Sequence, residues 1–407
     1  MQTQIPQQQP PDALASAAAG LISRCVHCGF CNATCPTYQL LGDERDGPRG
    51  RIYLIKHMLE GNTPTARTRS HLDRCLTCRA CESACPSGVE YGRLVDMGRE
   101  VLAQRAPRPW LARLQRRLLA GFLTSRAFAP LLALGQALRP LMPATLAKRI
   151  PARQRAGDWP LQTQPRRVLL LGGCVQPALS PDLNAATARV LGVLGIEVII
   201  AREAQCCGAI HQHLDQQHTA RDHARRNIDA WWPLLEQGAE AIVFNATGCG
   251  TQLAEYGWLL RDDPTYAQRA ARVSSLSRDL SQLLAPLEPR IRQLSVNAVA
   301  DTVAFHAPCS LQHGLKSRGV VEGLLLAAGA TLTRVRDSHL CCGSAGTYSV
   351  LQPELSKRLQ DNKIAALTAG GPAAIVSANV GCVGHLQGAT DLPVTHWIEV
   401  LDERLSA

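Results

Sequence analysis

Sixteen cysteines stand in these 407 residues, and half of them fall in two runs of identical spacing. Cys25, Cys28, Cys31 and Cys35, followed by Pro36, and Cys75, Cys78, Cys81 and Cys85, followed by Pro86, both read C-x2-C-x2-C-x3-C-P. Bacterial ferredoxins hold [4Fe–4S] clusters with this run. Three thiolates two residues apart wrap one face of a cubane as the chain curls around it, and the fourth reaches the other cluster. The expected ligand sets are therefore crossed: Cys25, Cys28, Cys31 and Cys85 for one cluster, Cys75, Cys78, Cys81 and Cys35 for the second. Each proline is expected to end a local helix. Structural zinc also takes four thiolates, but usually from two separated pairs rather than from one eleven-residue run. A disulfide framework needs an oxidising compartment. Residues 1–24 are Gln- and Pro-rich and lack the basic start of a secretory signal, which points to a reducing, cytoplasmic setting.

The other eight cysteines form an internal repeat. The first copy is Cys174, the pair Cys206–Cys207, and Cys249; the second is Cys309, the pair Cys341–Cys342, and Cys382. The single Cys precedes its pair by 32 positions in both copies. Each Cys follows an expected strand, so each set should gather at the carboxyl edge of a parallel sheet, where open α/β folds place ligands. Gly208 and Gly343 follow the pairs and allow a sharp turn beside a bulky group. A lone buried Cys is an ordinary small hydrophobe, but matched spacing favours ligand or redox use. His306, His313, His339 and His385 lie near second-copy cysteines, while His211 and His213 follow the first pair. Taken singly, each is more readily a hydrogen-bonding residue than a ligand.

These groups need elements to position them. Helical spacing covers Ala15–Ile22, and Ile52, Ile55 and Leu59 follow a proline start at Pro48. Ser70–Asp73 reads as a cap leading into the second run. From Arg166 onward, strands at 168–171, 197–200, 241–244, 303–305, 331–335 and 374–376 alternate with helices. The fold class is thus α+β and multidomain: a disordered lead-in at 1–14, a mainly helical ferredoxin domain at 15–104, a basic helical segment at 105–165, and α/β modules at 166–290 and 291–407. With 46% hydrophobic residues such a chain can bury real cores.

The net charge of +10 is not spread along the chain. Thirteen Lys or Arg against one acid fall between Arg105 and Arg167, which leaves the remainder slightly acidic and weakens any nucleic-acid reading. Leu111, Leu114, Leu118 and Phe122 fall on one helical face of this segment, with Arg113, Arg116 and Arg117 on the other. The segment is expected either to pack on the protein itself or a partner, with Arg toward solvent, or to make peripheral membrane contact.

The tandem ferredoxin run followed by two CCG modules resembles the iron–sulfur subunits of flavin-linked dehydrogenases: those of glycolate oxidase, anaerobic glycerol-3-phosphate dehydrogenase (its C subunit) and heterodisulfide reductase. The glycolate oxidase type is matched best, through Cys25–Cys31, Pro36–Asp43, Asp46–Lys56 and Ser338–Thr347. The heterodisulfide reductase pattern has a further Cys three positions after the last one, where this chain has Gln252 and His385. That leaves four thiolates per copy, enough in number for an ordinary cluster, and makes the CCG half a candidate for a further iron–sulfur cluster.

The resemblance implies FAD only on partner dehydrogenase subunits, which oxidise glycolate to glyoxylate, and electrons passed through these clusters to a quinone or other acceptor. It places the protein in the cytoplasm or peripherally on the cytoplasmic face of the inner membrane. No G-x-G-x-x-G follows an expected strand, so the expected role is an electron-transfer subunit, inactive alone. Lactate, another 2-hydroxy acid or glycerol 3-phosphate remain alternative substrates of the complex. A CCG half that itself reduces a disulfide or quinone is a rival reading, as is a scaffold with structural clusters.

Overall fold

The computed structural model describes residues 1–6, 13–143, 150–160, 163–295 and 301–405. Helices of eight residues or more are numbered here. In the N-terminal domain, α1 (Ala13–Ser23) buries Ala15, Ala18, Leu21 and Ile22. Helix α2 (Pro48–Leu59) starts on its proline and buries Ile52, Ile55, Met58 and Leu59. With α3 (Ala66–Asp73) and α4 (Tyr91–Arg105), these apolar faces close one core that takes in Cys25, Cys75 and Cys81. The i, i+3, i+4 spacing dictates this packing. The α3 cap is Thr65, reciprocally bonded to Thr68, whereas Ser70–Asp73 forms the last turn of the helix.

Residues 1–6 differ from the expected disordered lead-in. The Met1 ammonium donates to the carbonyls of Ser23 and Cys25 at 3.1 and 2.9 Å, and Met1 and Ile5 pack on the helical core. Two apolar side chains in an otherwise polar run are enough to dock it. Residues 7–12 lie outside the described residues.

The basic segment forms α5 (Trp110–Thr124) and α6 (Phe128–Leu138), bent by 85° at their junction. Its orientation departs in part from the expectation of self-packing with Arg toward solvent: Arg113 and Arg117 are exposed, but Arg116 and the apolar face are not placed as expected. Arg116 is turned inward between Asp73 and Asp215, at 3.6 and 3.7 Å, while Leu111, Leu114, Leu118 and Phe122 are 42–63% exposed. Two largely buried carboxylates require cations, and that requirement decides which face docks. Residues 150–160 carry no helix. Among the described residues no single helix is long and apolar enough to cross a membrane.

The remaining chain builds two parallel four-stranded sheets. The first, in order β2-β1-β3-β4, uses β1 (Arg166–Leu170), β2 (Ile196–Ile199), β3 (Ile242–Phe244) and β4 (Ser277–Asp279). Its helices are α7 (Leu183–Val193), α8 (Gln217–Glu236), α9 (Thr247–Ala254) and α10 (Ala267–Leu276). The second, in order β6-β5-β7-β8, uses β5 (Thr302–His306), β6 (Thr331–Leu332), β7 (Ala374–Ser377) and β8 (Val394–His396). Its helices are α11 (Val320–Ala327), α12 (Pro353–Thr368), α13 (Val380–Gln387) and α14 (Trp397–Leu405).

Strands β4 and β8 escaped the sequence reading because each is three residues long and partly polar, at a sheet edge. The strand expected at 331–335 pairs over only two residues. The copies pack reciprocally: α7 lies on α14, and the short helix Leu280–Leu284 lies on α11. One core joins both sheets, including Val168, Val243, Phe305 and Trp397. Arg189 ties the copies to Asp402 at 2.6 Å. A helix at Glu288–Leu294 runs across the module boundary expected at 290.

Candidate metal centres

Both ferredoxin runs curl in the same way. The chain enters the left-handed region at His27 (φ 57°) and Gly29 (φ 86°), and at the equivalent Thr77 (φ 53°) and Arg79 (φ 61°). Three of these four are not glycine, a conformation costing about 1 kcal/mol or more each that persists only where surroundings enforce it. A four-residue helix follows in each run, Phe30–Ala33 and Ala80–Ser83, and the two pack together. Each ends before the fourth Cys, so the prolines do not terminate it. Pro36 instead opens the helix Pro36–Leu41, a position where a missing N–H costs nothing, and Pro86 begins a turn.

The curls enclose two neighbouring cavities. One is lined by Cys25, Cys28, Cys31, Cys81 and Cys85, the other by Cys35, Cys75, Cys78 and Cys81. Cys85 thus reaches the cavity of the first run and Cys35 that of the second, with Cys81 in the wall between them. Burial, and then the nearby Cys25 and Cys85, push the Cys31 thiol up to about 11. Thiols facing a common space in this way suit a metal guest that takes their charge. Cys28 is exposed, with Val26 and Phe30 68% and 63% exposed beside it, so the first cavity lies close to the surface.

Buried polar residues that the spacing did not reveal surround the second cavity. Arg51, 1% exposed, donates to Thr37 Oγ1 at 3.1 Å and the His71 carbonyl at 2.8 Å, and its Nη1 lies 3.9 Å from Cys35 Sγ. Burial alone would lower its basicity, but Cys75, Tyr91 and Cys35 outweigh it and raise it. Arg99 donates to the carbonyls of Leu72 and Cys75 and to Thr77 Oγ1, and Tyr91 Oη lies 3.8 Å from Cys75 Sγ. Asp46, fully buried, faces Arg51, His71 and Arg74. Although Asp43, Asp46 and His71 are close enough to share an ion, Arg51 and Arg74 already balance that charge. Arg51 lies in the Asp46–Lys56 stretch, the only sequence signal that marked it.

The CCG cysteines are arranged differently. In the second copy Cys309 Sγ lies 3.9 Å from Cys341 Sγ, and the thiols interact in a row, Cys341 with Cys342 and Cys342 with Cys382. The first copy repeats the row from Cys174 through Cys206 and Cys207 to Cys249. Gly208 and Gly343 are left-handed (φ 89° and 91°), and a Cβ on Gly343 would stand 2.5 Å from the Ser356 carbonyl oxygen. Cys249 sits in the first turn of α9 and Cys382 in that of α13, each just after its central strand.

Of the six histidines singled out, His306 is the one that meets thiols, lying with Cys342 and Cys382. His313 bonds Ser83 Oγ and the His339 carbonyl, at 2.9 and 3.0 Å. His385 stands 3.5 Å from Ser356 Oγ, and His211 bonds Thr124 and Gln216. His339 is half-buried, and burial lowers its pKa. His213 is half-buried too, facing Asp96.

The two copies also meet the ferredoxin domain differently. The first is held by ion pairs of Glu255 with Arg79 and Arg93 at 3.0 and 2.8 Å. The second is held by Tyr348 Oη on the Arg74 carbonyl (3.1 Å), by Ser83 on His313, and by an apolar cluster that brings Cys309 and Cys341 against Leu76 and Cys78. Burial, then Cys309, push the Cys78 thiol up.

Residues 21–89 match the 4Fe-4S dicluster domain family, and residues 168–254 and 303–387 each match the cysteine-rich (CCG) domain family. The chain is 51% identical to the glycolate oxidase iron-sulfur subunit of Escherichia coli (strain K12) over 407 residues, covering all of this chain and 99% of that protein. It is 32% identical to the probable glycolate oxidase iron-sulfur subunit of Bacillus subtilis (strain 168), over 89% of this chain and 88% of that one. Lactate utilization protein A of Bacillus cytotoxicus is 27% identical over 58% of this chain and 99% of its own. With cysteine-lined cavities inside the dicluster match and a full-length likeness above half identity, the chain belongs to the family of glycolate oxidase iron–sulfur subunits and is an iron–sulfur electron-transfer subunit.

Proposed function

We propose that this chain relays single electrons from an FAD-bearing partner subunit, which oxidises glycolate to glyoxylate, to a quinone or another acceptor. Two [4Fe–4S] clusters would supply the one-electron chemistry, one on Cys25, Cys28, Cys31 and Cys85 and the other on Cys75, Cys78, Cys81 and Cys35. The crossed lining of the two adjacent cavities carries this reading. Exposed Cys28, flanked by Val26 and Phe30, gives the first site a short path to a docked donor. Arg51 and Arg99 would offset the negative charge of the second site and favour its reduced form. Replacing Cys28 by Ser is expected to abolish acceptor reduction in the assembled complex while glycolate still reduces the partner flavin. Intact acceptor reduction would overturn the relay.

The outward apolar face of α5 and α6 supports peripheral contact with the cytoplasmic face of a membrane. Trp110, Leu111, Leu114 and Leu118 are exposed among Arg113 and Arg117, the arrangement that beds apolar side chains at an anionic lipid surface. Leu114→Glu with Leu118→Glu should release the complex from vesicles containing anionic lipid. Unchanged flotation with the vesicles would refute this contact.

A further inference from the structure

The outer face of α2 carries aromatic residues that take no part in the helical core. Ile52, Ile55 and Leu59 are buried on one side of the helix, which puts Arg49, Tyr53 and His57, spaced four apart, together on another. These three wall a cavity of about 500 Å³, to which Leu54, Met58 and Pro64 supply apolar surface. Cavities of about 300–1,000 Å³ lined by rings, apolar side chains and a few polar groups are the usual form of a small-molecule site. His27 and Arg49 line both this cavity and the one that holds Cys25, Cys28, Cys31 and Cys85. A ligand bound here would therefore lie beside the first cluster site.

On the reading that the chain relays electrons to an acceptor, we propose that this cavity binds the head ring of a quinone. Its walls select a neutral planar group. Both lining arginines are already neutralised, Arg45 by Asp43 at 2.7 Å and Arg49 by Glu44 at 2.6 Å, so neither is left over for a carboxylate or phosphate. The Tyr53 and His57 rings lie 4.6 Å apart and Tyr53 is 49% exposed, which leaves an aromatic face open to stacking. Among the described residues no hydrogen bond within the chain engages the Tyr53 hydroxyl or the His57 ring nitrogens, and both can donate to quinone carbonyl oxygens. In the shared wall, His27 Nε2 is buried without a partner, a state that favours a polar ligand atom beside it.

The cavity also adjoins the start of the basic segment. Arg105 donates to the carbonyl of Met58, and Arg69, next to the lining Thr68, donates to that of Ala106. Four residues further on, Trp110, 65% exposed, begins the apolar face of α5, at most about 14 Å of chain away. A lipid-soluble ring thus has a short way from a membrane at α5 to the cavity. The bound ring accepts two electrons, delivered singly, and two protons from solvent, and leaves as the quinol. Glycolate, oxidised at the partner flavin, is the source of both electrons.

The test is photolabelling of the assembled complex with an azidoquinone carrying a short isoprenoid tail. Label should fall within residues 44–68 of this chain and be displaced by excess unlabelled quinone. Leu54→Trp, which fills the cavity with an indole, should abolish that label and raise the KM for quinone about tenfold, as loss of binding does, while iron content stays. Tyr53→Phe, which keeps the ring, should raise the KM about fivefold, the size of one hydrogen bond, with kcat retained. Label absent from residues 44–68 would overturn the site, as would label and KM unmoved by Leu54→Trp. Should Leu54→Trp lose iron, Tyr53→Phe decides, and an unchanged KM overturns the site. Labelling needs no turnover, so it judges the site alone, whereas the relay stands or falls on whether glycolate reduces the clusters.

Discussion

The ferredoxin runs and the CCG modules are both duplicated four-cysteine units, but the two duplications are put together in opposite ways. In the ferredoxin domain the copies exchange a cysteine, Cys85 facing the cavity of the first run and Cys35 that of the second. Neither copy is complete alone. In the CCG half each copy keeps its own four thiols in its own row, although the copies also meet beside them, with Thr247 Oγ1 2.7 Å from Ser310 Oγ and Gly248 N donating to Asn379 Oδ1 at 3.3 Å. A shared ligand ties two copies together, while separate thiol rows leave each copy free to diverge. Leu171 where the second copy has His306 is such a divergence, and so is the docking of the second thiol row against Cys78.

The largest effect should come from testing the exchange itself. Cys85→Ser lies in the second run but should remove the cluster of the first, lowering iron from about eight to about four per chain and ending acceptor reduction. Cys206→Ser, within a self-contained copy, should leave ferredoxin iron unchanged. Adding Cys28→Ser to Cys85→Ser distinguishes crossed from uncrossed ligation by iron analysis: the crossed double variant keeps about four irons per chain, the uncrossed one none.

Next in size is the joint between the halves. Arg108 grips Asp73 of the ferredoxin domain with two bonds of 2.6 Å and Asp215 of the first CCG copy at 2.9 Å. Arg108→Gln should cost about 3 kcal/mol, since it strands buried carboxylates. Burial pushes the Asp73 carboxyl up, but its bonds to Arg108 outweigh that and hold it below the usual carboxylate range. A depressed carboxyl contributes stability that is complete above its unfolded pKa and is lost as pH falls through the folded one. The variant should therefore lose stability at neutral pH and show a flatter acid limb in denaturant titrations. The smallest effect concerns the second copy: Ser83→Ala removes one hydrogen bond to His313 and should cost about 1 kcal/mol, with cluster content unchanged.

What the sequence made legible follows from the range of each constraint. The curl of each run is local, because four cysteines fall within eleven residues, and the crossed cysteine lining of the two cavities is the arrangement this run takes in two-cluster ferredoxins. Strand alternation exposed six of the eight strands, while β4 and β8 are too short and polar to carry a period. The outward face of α5 was readable as a face but not as outward, because its direction is set by Asp73 and Asp215, 43 and 99 residues away from Arg116. Arg51, Arg99 and Tyr91 were missed for the same reason: a helical pattern says that a side chain is inside without saying what it meets. His306 carries no periodic signal at all. Its closeness in sequence to Cys309 marked it together with five other histidines, and only the fold shows that it lies with Cys342 and Cys382.

The relay is tested most directly by electron paramagnetic resonance of the assembled complex titrated anaerobically with glycolate. The account predicts reduced [4Fe–4S] signals from two magnetically coupled clusters, and in Cys85→Ser the survival of one uncoupled signal belonging to the second run. Clusters that stay oxidised while the acceptor is reduced at full rate would contradict it.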